Sequence, residues 1–199
     1  MILEEKIMMS KKEQLNRLNL EWTKKCTCTL REDATQAVPG TGNPNAEILF
    51  LGEAPGKAED LQGEPFVGAA GKFLNEMLEE VGMSRSDVYI TNVVKYRPPN
   101  NRDPNPEEVS ACADWLYEQI FLIKPKLMVL LGRHALERFF PGEKISTVHG
   151  KLLRKKMHTI PANNFFALYH PAAALYNGSM REVLKKDFKK MKNMLQSIK

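Results

Sequence analysis

Two hydrophobic patterns alternate along the chain. Short continuous apolar runs, ILFL at 48–51, LMVLL at 127–131 and FFALY at 165–169, are separated by stretches whose apolar residues recur every three or four positions. Continuous runs of that length predict strands covered on both faces, and the three-to-four spacing predicts amphipathic helices. The reading is therefore a helix over 11–25, a loop over 31–46 punctuated by Pro39, Gly40, Gly42 and Pro44, and a strand over 47–51. In GKFLNEMLEEVG (71–82), Phe73, Leu74, Met77, Leu78 and Val81 share a helical face that Gly82 ends. DVYITNVV (87–94) is β-rich, and RPPNNRDPNP after it is turn-forming. EEVSACADWLYEQIFLI (107–123) reads as one helix, preceded by prolines and carrying its acids in the first turn. A strand over 126–132, a short helix over 133–140 and a strand at 165–169 follow. Ser179 is the expected cap of a last helix with Val183, Leu184, Phe188, Met191 and Leu195 turned inward.

Helices alternating with continuously apolar strands predict a three-layer α/β/α fold with a mainly parallel central sheet. Residues 1–25 read as an N-terminal extension with a helix and 26–199 as a single domain. With 43% hydrophobic and 27% charged residues the composition is ordinary for a globular protein, and no apolar run is long enough to span a membrane. The amino-terminal stretch lacks a long apolar core, so a cytoplasmic location is expected. The net charge of +5 fits a polyanionic partner, and much of the excess lies in REVLKKDFKKMKNMLQSIK. Three cysteines, Cys26, Cys28 and Cys112, are too few for a disulfide framework and leave free thiols or metal ligands as readings.

Ligands of parallel sheets bind beyond the carboxyl ends of the strands. The four predicted strands deliver there Gly52-Glu53-Ala54-Pro55-Gly56, then Thr91-Asn92 with Lys95 and Arg97, then Gly132-Arg133-His134, then His170-Pro171. The Asn92 carboxamide donates and accepts side by side, which suits an edge carrying a carbonyl next to an N–H, as uracil and thymine do. Phe66 offers a flat face for a ring. His170 can donate to an oxygen gathering negative charge. Glu53 or Glu59 can orient a water or stabilise a sugar cation. Each piece taken alone has an ordinary structural reading; together they describe a site. No G-x-x-x-x-G-K-[ST] is present, and acids in the first loop argue against a phosphate cradle.

The ordered series GEAPGKAED, GEPFVGAAGKFL, YITNVVKYRPPNNRDP and HPAA closely resembles the family 4 (thermostable-type) uracil-DNA glycosylases, over about residues 26–195. The resemblance implies the uracil-DNA glycosylase-like fold and an enzyme of base excision repair. Such an enzyme flips deoxyuridine from DNA, hydrolyses its N-glycosidic bond, releases uracil and leaves an abasic site. By similarity, Phe66 stacks on the base, Asn92 reads its edge, and His170 stabilises charge at O2 of the leaving uracil. Gly52, Glu53 and Ala54 form the first pocket loop, and Glu59 shapes the wall near C5. The resemblance leaves open whether Glu53 or Glu59 places the water. Lys95, Arg97, Leu175 and Arg181 are the expected DNA contacts, with Leu175 in the loop that wedges into the duplex gap. The partner is uracil-containing DNA, and the chain is expected to act as a monomer. The alternative is a superfamily member that binds uracil or DNA with reduced catalysis.

Members of that family carry a 4Fe–4S cluster on four cysteines. Here Cys112 matches one of them, but Tyr96 stands where another is expected, and the N-terminal pair is spaced C-x-C in KKCTCTL with Lys25 at the partner's place. A ligand set one thiolate short implies no cofactor; Cys26, Cys28 and Cys112 are metal ligands only if a cluster is bound. A relative that attaches covalently to abasic DNA uses a histidine-containing insert after TNVVK, and YRPPNNRDPNPEE holds neither histidine nor insert.

Overall fold

In the computed structural model, residues 9–198 are described. Helix α1, Lys11–Lys25, starts at a reciprocal cap: Ser10 accepts from the Glu13 amide while Glu13 accepts from that of Ser10. It does not stand off from the rest. Leu15 is buried in the main core, Trp22 stacks on Trp115 at 6.3 Å, and Asn19 accepts from both Trp115 and Gln119.

Six strands follow: β1 Thr41–Gly42, β2 Ile48–Gly52, β3 Tyr89–Asn92, β4 Leu127–Leu131, β5 Leu152–Arg154 and β6 Asn164–Leu168. They form one sheet in the order β1-β3-β2-β4-β6-β5. The middle four strands are parallel, and the two edge strands run antiparallel to their neighbours. The helices that pack on it are α2 Lys57–Gln62, α3 Ala69–Glu80, α4 Pro106–Ala111, α5 Ala113–Ile123, α6 Arg133–Phe139, α7 Ile145–Val148, α8 Ala173–Tyr176 and α9 Ser179–Ser197.

The strands' continuous apolar runs divide by parity. Leu49, Leu51, Met128, Leu130, Phe165 and Ala167 face a core shared with Trp115, Leu116 and Leu136. Ile48, Phe50, Leu127, Val129, Phe166 and Leu168 face a second core with Phe73, Leu74, Met77, Phe188 and Met191. Two cores on opposite faces of one mainly parallel sheet make the three-layer architecture that the pattern implied.

Four details depart from the expectation. The helix over 107–123 is two, α4 and α5, meeting at Cys112. The β-rich run at 87–94 is a four-residue strand, because Val93 and Val94 leave β3 to bond the carbonyls of Gly52 and Glu53. Segments with too few residues to show a period, β1, β5, α2, α7 and α8, were not anticipated. Ser179 does not cap α9: its own amide and hydroxyl both donate to the Asn177 side chain, so Asn177 does that work.

The topology explains where a ligand goes. From β2 the chain passes to β3 on one side and then returns to β4 on the other. The loops after β2 and β4 therefore part, opening a crevice at the carboxyl ends of these strands.

Candidate active site

That crevice holds a cavity of about 470 Å³ lined by Glu53, Ala54, Glu59, Phe66, Asn92 and His170, among others. A larger groove of about 700 Å³ between α1 and α5, lined by Leu18, Phe121 and Leu122, carries none of these groups.

Gly52 ends β2 directly beneath the site. A Cβ there would collide with the Asn92 side-chain oxygen and lie 2.7 Å from the tip of the Phe66 ring, so carboxamide and ring converge over a position only glycine leaves free. The Phe66 and His170 rings lie 5.5 Å apart at 30°. Three segments thus bring Phe66, Asn92 and His170 together on the wall of one cavity. Asn92 is 1% exposed, and its side-chain oxygen has no hydrogen-bond partner. Buried polar groups are nearly always paired, so an unpaired one beside a cavity is poised for a ligand.

Phe66 is held in a left-handed conformation, φ 55°, which a bulky residue adopts only when its surroundings enforce it. They do. Glu59 accepts from the amides of Val67 and Gly68 at 2.9 and 2.8 Å, pinning the loop after the ring. Arg85, in the turn before β3, donates to the carbonyls of Pro65 and Phe66 at 2.6 and 3.1 Å. Gly71 on α3 lets the Phe66 carbonyl approach where any side chain would obstruct it. Glu59 therefore works on the pocket through the Phe66 loop, and Arg85 is a supporting residue that the motifs did not disclose.

His170 follows β6, and its Nδ1 accepts from the Ala172 amide at 3.2 Å. Burial pushes its pKa down to about 4, although Glu59 nearby opposes this. The ring is therefore neutral at ordinary pH, with its proton on Nε2 as a donor, because Nδ1 is already an acceptor.

Glu53, on the loop after β2, has its carboxyl pushed above the usual carboxylate range, chiefly by burial. Its Oε1 lies 3.6 Å from His134 Nε2, which in turn is 3.2 Å from Asp103 Oδ2. Arg133 pairs with Asp103 and donates from Nε to His134. The sequence placed His134 at the carboxyl end of its strand without a role, and Asp103 was not among the expected site residues. Asp103 sits in RPPNNRDPNP, where Asp before Pro reads as turn punctuation.

The expected DNA contacts fare differently. Lys95 is fully buried, and its ammonium donates to Thr91 Oγ1, the Asn92 carbonyl and Gln119 Oε1. It cannot reach phosphate, and that expectation is corrected: the residue buttresses the backbone of Asn92 from behind. Burial drops its pKa to about 7. Arg97 donates to the Asn101 side chain at 2.7 Å, beside the cavity. Leu175 is 46% exposed, and its neighbour Tyr176, at the cavity rim, is 92% exposed. Arg181 lies over the Phe73 ring and pairs with Glu76 at 2.6 Å. Lys185 and Lys189 pair with Glu80, so part of the basic face of α9 is turned to the acids of α3.

On the opposite core, Cys26, Cys28 and Cys112 are buried free thiols. Hydrogen bonding to Cys112 pulls Cys26 down to about 6 and lowers Cys28, while Cys112 is driven up. Tyr96 belongs to the same cluster, 2% exposed, with a hydroxyl that finds no partner. It packs edge-on against Trp115 at 6.4 Å. Three thiols and an unpartnered phenol do not make the four-thiolate donor set of a 4Fe–4S cluster.

Comparison with known proteins agrees with this geometry. A family model described as the uracil DNA glycosylase superfamily matches residues 39–199. The chain is 52% identical over 174 residues to a type-4 uracil-DNA glycosylase of Archaeoglobus fulgidus, covering 82% of this chain and 84% of the relative. It is 50% identical over 175 residues to one of Sulfurisphaera tokodaii, covering 84% and 78%. With one of Thermotoga maritima it shares 42% over 191 residues, covering 94% and 98%. Crevice, ring clamp and family match coincide: the chain belongs to the uracil DNA glycosylase superfamily.

Proposed function

We propose that this protein is a uracil-DNA glycosylase, a hydrolase that removes uracil from DNA as the first step of base excision repair. The observation that carries the reading is the buried, unpartnered carboxamide of Asn92, facing the same small space as Phe66 and His170. Deoxyuridine flips out of the strand at an expense of a few kcal/mol, roughly 1–3 kcal/mol of which stacking on an aromatic ring returns. Phe66 supplies that ring. Asn92 pairs with the carbonyl and N–H of the base edge, an arrangement cytosine does not match.

The N1–C1′ bond then breaks, its electron pair leaving with uracil as the anion. The Nε2–H of neutral His170 donates to O2, where the charge gathers; one such donor is worth about 3–4 kcal/mol of barrier. A neutral donor suits this task because no proton need be transferred. Glu53, ionised, stabilises the developing sugar cation and orients a water. The water oxygen bonds to C1′, its proton passes to the carboxylate, and an abasic sugar remains. Glu59 acts by holding the Phe66 loop, which favours Glu53 as the carboxylate that faces the sugar.

Tyr176 at the rim and its exposed neighbour Leu175 are the apolar side chains that would fill the gap in the duplex, while Arg102 in the cavity lining and Arg97, bonded to Asn101 of that lining, are the cations beside it. The substrate is uracil-containing DNA, acted on by a monomer. Among the described residues no helix is long and apolar enough to cross a membrane. We place the enzyme in the cytoplasm, a setting that three free thiols fit. We read the thiol corner as working without a 4Fe–4S cluster, supported by Tyr96 in the place of a ligand. The test is release of free uracil from a single-uracil oligonucleotide by the intact protein, with iron and sulfide measured on the same preparation. Binding without release would identify the catalytically reduced member instead, and four irons per chain would overturn the cluster-free reading.

A further inference from the structure

The backbone that carries Asn92 is held by polar side chains set in an otherwise apolar core. Strand β1 reaches β3 only at Tyr89 and Ile90, so the Asn92 carbonyl lies past its end. Lys95 Nζ meets that carbonyl at 2.9 Å, together with Thr91 Oγ1 at 2.6 Å and Gln119 Oε1 at 2.8 Å. Thr91 gives its own hydroxyl proton to the Pro39 carbonyl at 2.7 Å. All three partners of Lys95 are therefore acceptors, and the protons of its ammonium match them one to one.

Gln119, fully buried on α5, continues the chain outward. Its Nε2 donates to Asn19 Oδ1 at 2.7 Å and to the Pro39 carbonyl at 3.0 Å. The Asn19 oxygen also accepts from Trp115 Nε1 at 3.0 Å. The Gln119 amide fits in one orientation only, because reversing it would turn its NH2 toward the Lys95 ammonium. A buried network satisfied in this way is rigid. It runs from α1 through α5 to the last residue of β3, and α1 lies ahead of the residues 39–199 that the family model matches.

We propose that Asn19 and Gln119, acting through Lys95, are positioning residues for Asn92, so that helix α1 helps to aim the carboxamide that selects uracil. The inference rests on the reading of Asn92 as the residue that pairs with the base edge. Among the described residues the Asn92 side-chain oxygen meets no partner, so its aim depends on the backbone beneath it. The network takes hold of that backbone at the carbonyl of the same residue. Leu15, four positions before Asn19, anchors α1 by apolar packing and takes no part in these bonds. It therefore separates docking of the helix from the polar chain.

The experiment measures kcat/KM for uracil release and the Asn92 side-chain amide resonances of isotope-labelled protein. It compares wild type with Gln119→Leu, Asn19→Leu, Asn19→Asp, Leu15→Ala and Asn92→Asp, each checked for folding by its thermal midpoint. Asn92→Asp, which lacks those resonances and so assigns them, is expected to lose most of its kcat/KM. Gln119→Leu is expected to lower kcat/KM roughly tenfold and Asn19→Leu roughly threefold, because a small misplacement of a positioned group costs rate. Both are expected to shift the Asn92 resonances. Asn19→Asp keeps the acceptor oxygen and is expected to recover wild-type kcat/KM. Leu15→Ala is expected to lower the thermal midpoint through its cavity and to leave both other readouts as in wild type. Unmoved resonances or undiminished kcat/KM in Gln119→Leu and Asn19→Leu, while Asn92→Asp is impaired, overturn the network's role alone. A loss in Leu15→Ala as large as that in Asn19→Leu, or no recovery in Asn19→Asp, does the same. Full activity of Asn92→Asp overturns the reading of Asn92 and this inference with it.

Discussion

Among the described residues four buried side-chain polar atoms go unpaired; Arg138 Nε stands apart, and the other three mark two contrasting regions, the base pocket and the thiol corner. In the base pocket, the Asn92 oxygen is unpartnered beside an open cavity. In the thiol corner, the Tyr96 hydroxyl and the Trp22 indole N–H are unpartnered inside packed aromatic surroundings. The supports differ too. Pocket side chains are pinned from outside by Glu59, Arg85 and the Ala172 amide, so each aims at a space. Corner side chains lean on one another, so each aims at a neighbour. An unpaired group at a void reads a ligand; one sealed in a core is a tolerated expense of packing.

The largest break in this comparison comes from His170→Ala. It is expected to lower kcat about 100- to 1,000-fold with little change in KM, as for loss of one charge-stabilising donor; single-turnover release measures it. Next is Gly52→Ala, which sets a methyl group against both Asn92 and Phe66. Overpacking there should remove roughly 1–3 kcal/mol from kcat/KM while leaving the thiol corner untouched.

A smaller effect tests the link between the regions, Lys95. The unfolded chain keeps this lysine proton up to 10.5, its ordinary value, whereas the folded site releases it at about 7. The unfolded state therefore binds more protons across that window, and stability rises with pH within it. Cys26 works in the same direction from about 6 up to its ordinary 9.0, because a depressed thiol stabilises the fold once ionised. Urea midpoints are expected to climb from pH 7 to 9 and to climb less in Lys95→Met. The smallest effect is Tyr96→Phe. Deleting a hydroxyl that bonds to nothing should alter the urea-derived stability by no more than about 0.5 kcal/mol, in either direction. A large loss would mean that this hydroxyl has a partner in solution.

Much of this was legible in the chain. Continuous apolar runs marked β2, β4 and β6 because strands covered on both sheet faces need apolar side chains at both parities. Once they and the β-rich run at 87–94 were placed, their carboxyl ends named Glu53, Asn92 and His170. What escaped follows from contacts distant in sequence. Arg85 serves Phe66 from 19 positions away, and nothing in its own neighbourhood points there. Asp103 joins Arg133 across 30 positions. Lys95 misled because a cation in a loop beyond a strand is ordinarily exposed. Its neighbours Val94 and Tyr96 are both apolar, the one local sign that this stretch of backbone turns inward. Ser179 misled because the side chain that meets the first helical amide is that of Asn177, two positions earlier, and only the backbone path decides this.

Arg85 has a consequence for how this enzyme could fail. It grips two consecutive carbonyls, Pro65 and Phe66, yet it is not among the residues that line the cavity. The tension in the Phe66 backbone is therefore sustained by an anchor standing outside the catalytic chamber. Damage at position 85 would let the phenyl platform relax and swing, blunting discrimination while every residue that touches the substrate remained intact.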